Sequence, residues 1–185
     1  EEMSDVQLEL EILRYDPEKD REPSFQTYPV TCKEEWMILD AINYVKEEVD
    51  TTLSYRWSCH MAVCGSCGMN LDGTPKLACK VSVRGYANKK VRIEPLSNFP
   101  IERDLVVVQD DFMEKLRSVK PYIIRKEEKP IEEGEYKQTP AELMKYKQFT
   151  MCINCLCCYA ACPQYGLIPE FVGPAALTMA HRYNQ

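Results

Sequence analysis

The chain has no uninterrupted apolar stretch approaching the roughly 18 residues that crossing a bilayer takes. Its longest apolar runs, Leu105 to Val108 and Tyr122 to Ile124, are of core size. Positive charge is not in excess: 23 Lys and Arg face 29 Asp and Glu, a net charge of −6 at pH 7. The clustered basic footprint of a nucleic-acid partner is therefore missing. Histidine is scarce, with only His60 and His181. A Rieske centre puts two histidines on one iron. With His60 directly beside Cys59, that option fails. The opening residues, Glu1-Glu-Met-Ser-Asp5, are acidic and lack the basic-then-apolar layout of a secretory signal. No long internal repeat is visible.

What the chain does have is cysteine. Ten occur in 185 residues, within an otherwise ordinary soluble composition of 45% hydrophobic and 28% charged residues. That length allows one or two domains. In an oxidising compartment so many cysteines would suggest disulfides. Their local convergence at CxxC spacings argues for metal or cluster ligation, and so for a reducing compartment. One group is Cys59-x4-Cys64-x2-Cys67 with Cys79 further on, the plant-type 2Fe-2S spacing. The other is Cys152-x2-Cys155-x2-Cys158-x3-Cys162-Pro163, the bacterial ferredoxin run. There the first three thiolates hold one cluster and the fourth ligates a different one. Two ferredoxin signatures on one short chain point to an electron relay.

Local patterns place these motifs. Val6, Leu8, Leu10 and Ile12 alternate with polar residues as a half-buried strand does. A proline-bounded turn over Asp16–Pro23 leads to a partner strand at Tyr28–Thr31, forming a hairpin. Thr31-Cys-Lys-Glu34 has the capping-box pattern, and Trp36, Leu39, Ile42, Val45 and Val49 follow at helical spacing. Trp36 is expected in the core, and Cys32 to be a small buried hydrophobe. In the first cysteine loop, Gly65 and Gly68 are expected to supply unusual dihedrals for close backbone approach. Met69–Leu71, an Asp72-Gly73 turn and a strand from Lys76 to Val83 carrying Cys79 come next, and Val91–Leu96 closes the sheet. Asn98–Asp104 bridges to a helix over Leu105–Val119. Residues 125–136 read as a solvated charged loop. Thr139-Pro140-Ala-Glu142 is a strong helix start, and a last helix runs from Pro174 to Tyr183. The class is α+β, with a sheet-rich unit over 1–105 and an all-helical unit over 106–185. Its order is compatible with a β-grasp.

Zinc is the competing occupant at both sites. It favours two close-spaced pairs, whereas the first group has a single CxxC and the second crowds its thiolates beyond the usual knuckle spacing. Cys157 lies outside the ligand spacing and reads as a packed thiol. His60 reads as a loop residue with a minor tuning effect, and His181 as a helix-end residue favouring the dipole.

The motifs Ser54-Tyr-Arg-Trp-Ser-Cys59, Ala62-Val-Cys-Gly-Ser-Cys-Gly-Met69, Pro75-Lys-Leu-Ala-Cys79-Lys, Asn98-Phe-Pro-Ile-Glu-Arg-Asp-Leu-Val106 and Cys152-Ile-Asn-Cys155 resemble the iron–sulfur subunits of fumarate reductase and succinate dehydrogenase. The likeness spans nearly the whole chain, and Cys162-Pro-Gln-Tyr-Gly-Leu-Ile-Pro169 resembles the bacterial fumarate reductase branch. It implies a plant-type ferredoxin β-grasp domain followed by a bacterial-ferredoxin-like helical domain. Three clusters in series are implied: 2Fe-2S on Cys59, Cys64, Cys67 and Cys79; 4Fe-4S on Cys152, Cys155 and Cys158; and 3Fe-4S on Cys162. The implied subunit does no proton or hydride chemistry itself. It carries electrons between a quinol (menaquinone or ubiquinone) at two membrane anchor subunits and an FAD-bearing flavoprotein that interconverts fumarate and succinate. Its implied place is peripheral, on the cytoplasmic face of a bacterial inner membrane.

The family pattern continues with a further C-x5-C-x3-C-P run that completes the last two clusters. This sequence stops at Gln185 without it, so the expectation is a piece of a longer subunit with an incomplete helical domain. The rival readings are a succinate dehydrogenase subunit, a free-standing two-domain ferredoxin, and a zinc-stabilised interaction module.

Overall fold

A computed structural model of the chain describes residues 5–184. The acidic opening noted in the sequence lies, all but Asp5, outside them. Strand β1 (Val6–Arg14) pairs antiparallel with β2 (Ser24–Cys32), setting Leu10 opposite Tyr28. The alternation in β1 does what the pattern requires: Val6, Leu8, Leu10 and Ile12 are buried, while Gln7 and Glu9 face solvent. The chain then crosses over through α1 (Ile38–Tyr44), extended by a π-helical turn over Val45–Val49. The first cysteine loop leads into the hairpin β3 (Gly68–Leu71) and β4 (Thr74–Leu77). Asp72 and Gly73 both have positive φ at its tip, +48° and +73°, as a primed turn demands. Strand β5 (Lys90–Glu94) inserts parallel to β1 and antiparallel to β3, giving a mixed sheet of order β2-β1-β5-β3-β4.

One face of this sheet packs on α1. Leu10, Ile12, Ile38, Leu39, Ile42 and Ile93 are fully enclosed there, each burial worth roughly 1.5–3 kcal/mol. Cys32 is completely buried in the same cluster, and burial pushes its thiol up to about 11. It behaves as the small hydrophobe expected.

Beyond the sheet come a short ribbon of β6 (Ile101–Arg103) and β7 (Val106–Val107), then α2 (Asp110–Ser118), α3 (Pro140–Tyr146), α4 (Cys157–Ala160) and α5 (Pro174–Tyr183). A second cluster gathers Leu96, Phe99, Val107, Phe112, Leu156, Tyr159, Tyr165 and Ala175. Tyr159 is fully buried at its centre, edge-on to Phe112 at 5.2 Å and to Tyr165 at 4.6 Å. Among the described residues no helix is long and apolar enough to cross a membrane.

Several boundaries differ from the sequence expectation, each for a tertiary reason. Thr31 and Cys32 continue β2 because they pair with Gln7 and Val6. The helix instead starts after Met37, whose N–H donates to Asp40 Oδ2 at 2.8 Å. Trp36 therefore precedes the helix and is partly buried against the core, and Val49 is exposed. Strand β4 ends at Leu77, and Cys79 sits on a 3-10 turn over Ala78–Lys80. The helix expected from Leu105 begins at Asp110, because Val106 and Val107 pair with Arg103 and Ile101, so the part from residue 106 on is not all-helical as expected but opens on a strand.

Candidate iron–sulfur site

The first cysteine loop is tied down where it begins. Ser54 N–H donates to the buried carboxylate of Asp104 at 2.8 Å, and Leu105 N–H donates to the Ser54 carbonyl at 3.1 Å. Tyr55 hydroxyl donates to Asn43 on α1 at 2.7 Å. Beyond this anchor the backbone coils inward, with positive φ at His60 (56°), Ala62 (58°) and Gly65 (77°). Successive backbone N–H groups then converge on sulfur. Those of Met61, Val63 and Cys64 lie 3.4 Å from Cys59 Sγ, and that of Ser66 lies 3.4 Å from Cys64 Sγ. Such a cradle favours negative charge on the sulfurs. Hydrogen bonds from Ser66 and Cys59 accordingly lower the Cys64 thiol to about 6.

Cys67 and Cys79 close the group from the sheet side. Both are buried, and Ala78 N–H donates to the Cys67 carbonyl at 3.1 Å. Burial raises the Cys67 thiol to about 11, with Cys79 and Cys64 as its close neighbours. His60 holds Asp40 through Nε2 at 2.8 Å and meets Trp57 edge-on. It is a loop residue, beside the cradle.

The second run is built around the start of α4. Leu156 caps this helix in the left-handed region, φ 66°, with its side chain buried. The turn presents Cys155 and Cys157 to each other. Their thiol contact lowers Cys155, while the same contact and burial raise Cys157. Cys157 packs against the second hydrophobic cluster, as do Cys152 and Cys162, whereas Cys158 is exposed. Cys162 follows the end of α4, its N–H 3.1 Å from the Tyr159 carbonyl. His181, expected at a helix end, stacks edge-on with Phe149 at 4.5 Å.

The two loops touch. A Cβ at Gly65 would stand 2.9 Å from Cys155 Cα, and one at Gly68 would stand 2.8 Å from the Cys155 carbonyl oxygen and 3.6 Å from Cys157 Sγ. Gly68 has no positive φ. Its role is close approach, not the unusual dihedral expected of it. A cleft of about 300 Å³ runs beside this contact, lined by Arg56, Gly65, Leu96, Val107, Ile153 and Leu156 among others. Among the described residues, no three His, Cys, Asp or Glu side chains gather tightly enough for one metal ion. In the first loop the donor set, thiols only with N–H groups aimed at Cys59 and Cys64 Sγ, fits an iron–sulfur cluster, whose potential depends on such bonds. In the second run the donors are likewise thiols. Sequence reading missed His60, Ala62 and Leu156 as left-handed positions, since none is the glycine that marks such sites. It also gave Asp104 no role.

Comparison with known proteins bears on this site directly. Residues 9–114 match the model of a 2Fe-2S iron-sulfur cluster binding domain. The chain is 54% identical over 175 residues to a fumarate reductase iron-sulfur subunit of Mycobacterium tuberculosis, covering 95% of this chain and 71% of that one. A Haemophilus influenzae protein of the same name is 55% identical, with 96% and 73% covered. Among solved structures, a chain of the Mycobacterium smegmatis Sdh1 complex in the apo form superposes with a TM-score of 0.85 at 26% identity, covering 97% of this chain and 76% of that one.

Proposed function

Because this chain belongs to the family of fumarate reductase and succinate dehydrogenase iron–sulfur subunits, and so is an electron-transfer subunit, we propose that it serves a quinol:fumarate reductase. The fumarate reductase branch is favoured by relatives of that name at 54% and 55% identity, against 38% for a succinate dehydrogenase iron-sulfur subunit of Arabidopsis thaliana. In this reading Cys59, Cys64, Cys67 and Cys79 hold a 2Fe-2S cluster, Cys152, Cys155 and Cys158 a 4Fe-4S cluster, and Cys162 a 3Fe-4S cluster. Bound, the clusters supply sites that take up and release one electron at a time. The chain's own contribution is spacing and electrostatics. N–H groups stabilise charge at Cys59 and Cys64, and Gly65 and Gly68 bring the loops into contact. That contact is the observation that carries the relay reading.

The functional units are taken to divide near residue 105, where Leu105 packs in the first hydrophobic cluster and Val107 in the second, with Leu96 and Phe99 reaching across from the sheet-rich side into the second cluster. The partners are an FAD-bearing flavoprotein, membrane anchor subunits and a quinone, with the assembly at the cytoplasmic face of a bacterial inner membrane. Iron and acid-labile sulfide analysis of protein purified without oxygen, with EPR after reduction, tests the reading. A 2Fe-2S signal and copurifying flavin are expected. Stoichiometric zinc with no iron would sink it.

A further inference from the structure

Asn98 lies in the segment that joins the two hydrophobic clusters, with its backbone in the left-handed region at φ 68°. Its side-chain Nδ2 stands 2.9 Å from the Tyr159 carbonyl, 3.3 Å from that of Ala160 and 3.0 Å from that of Cys162. Carbonyls only accept, so the amide nitrogen belongs at this end of the side chain. The last carbonyls of a helix have no partner within it, and the four-residue α4 has little cooperativity of its own to keep it formed. Cys162 follows this helix directly. Asn98 thus closes the end of α4 and grips the peptide of Cys162 itself.

The segment that carries Asn98 is fixed to the sheet on both sides. Before it, Asn70 on β3 is only 4% exposed and donates to the Pro95 carbonyl at 3.0 Å and the Ser97 hydroxyl at 2.8 Å. After it, Asp104 is 2% exposed and accepts from Arg14 Nε at 3.0 Å, Tyr15 N at 2.9 Å and Ser54 N at 2.8 Å. Asn98 is therefore the point where a rigid mount on the first unit meets the cysteine at the far end of the second run.

We infer that Asn98 is a positioning residue for Cys162: its amide, mounted on the sheet, sets the C-terminal end of α4 and the placement of that sulfur. This rests on Cys162 being a cluster ligand, as proposed above. Two variants separate the amide from the backbone. Asn98→Gly removes the donor and relieves the left-handed backbone. Asn98→Asp keeps the shape but turns a carboxylate onto three carbonyls. Both are made in the native multisubunit protein, with EPR recorded on oxidised samples for the 3Fe-4S centre and on reduced samples for the 2Fe-2S centre.

The expected result is loss or altered line shape of the 3Fe-4S signal in both variants, with the 2Fe-2S signal at wild-type intensity. An unchanged 3Fe-4S line shape, intensity and midpoint potential in Asn98→Gly overturns the inference. So does a proportional loss of both signals, which would make Asn98 a general structural residue. A wild-type protein with a 2Fe-2S signal and no 3Fe-4S centre overturns both this and the cluster assignment of Cys162.

Discussion

At Gly65 a hydrogen stands where any other residue would place a methyl group 2.9 Å from both Cα and Cβ of Cys155 and 3.0 Å from the Ile153 carbonyl. Gly73 has nearly the same left-handed backbone, φ 73° against 77°, yet nothing lies within 4 Å of where its Cβ would be. The pair separates conformational strain from contact. Gly73→Ala should cost only the left-handed penalty, about 1–2 kcal/mol. Gly65→Ala carries the same penalty and also pushes the second cysteine loop away. It should lower stability clearly further and, on the proposed ligand assignment, reduce the iron content. Denaturant unfolding and iron content of the two variants check this, and equal behaviour would show that the loops do not press on each other. The sequence displays both glycines with equal weight. It signals a permissive residue, but what would fill the space comes from the opposite loop some ninety positions away.

The elements around the first loop are joined by one ionic knot. Arg14 ends β1, and its guanidinium contacts Asp50, Asp104 and the Tyr28 hydroxyl from β2. Burial alone would raise the Asp50 carboxyl. Hydrogen bonds from Thr52, Tyr28 and Arg14 outweigh it and hold the group well below the usual carboxylate range. A depressed folded-state value means the unfolded chain binds the proton first, so the stabilisation is complete above the unfolded value near 3.9 and fades as pH falls below it. Asp50→Asn should therefore be clearly less stable than the parent at pH 6, with the gap narrowing as pH drops towards 3. Unfolding curves of both proteins across that range test the sign, since a gap constant with pH would mean Asp50 gains nothing by being charged. Elements with local signals were legible: the alternation of β1, the capping box of α3 at Thr139 and Glu142, and Pro174 opening α5. Those decided by pairing were not. The capping-box pattern at Thr31 lost to a strand ladder with Gln7, and the start of α2 moved because Val106 and Val107 found partners in β6.

For the whole molecule, ligand spacing is a local property, so the cysteine groups proposed as ligands can be picked out along the sequence, while the contact between the two loops is a product of folding. The fold also leaves the first loop rimmed with apolar surface: Trp57, Met61 and Val63 are 44%, 70% and 57% exposed. Large apolar side chains standing out around a site mark a docking face. Electron transfer falls steeply with distance, so if Cys59, Cys64, Cys67 and Cys79 hold the proposed 2Fe-2S cluster, a partner exchanging electrons with it must come close to this loop. Met61 and Val63 meet the sulfur of Cys59 only through backbone N–H groups, which leaves their side chains free to vary without touching the cradle. The double variant Met61→Glu with Val63→Glu should keep a normal 2Fe-2S EPR signal. If each side chain contributes on the order of 1.5 kcal/mol when buried, flavoprotein binding should weaken roughly 100-fold. The ratio of flavin to iron in purified protein reads this directly: a fall with the signal intact places the flavoprotein on this face, and an unchanged ratio places it elsewhere.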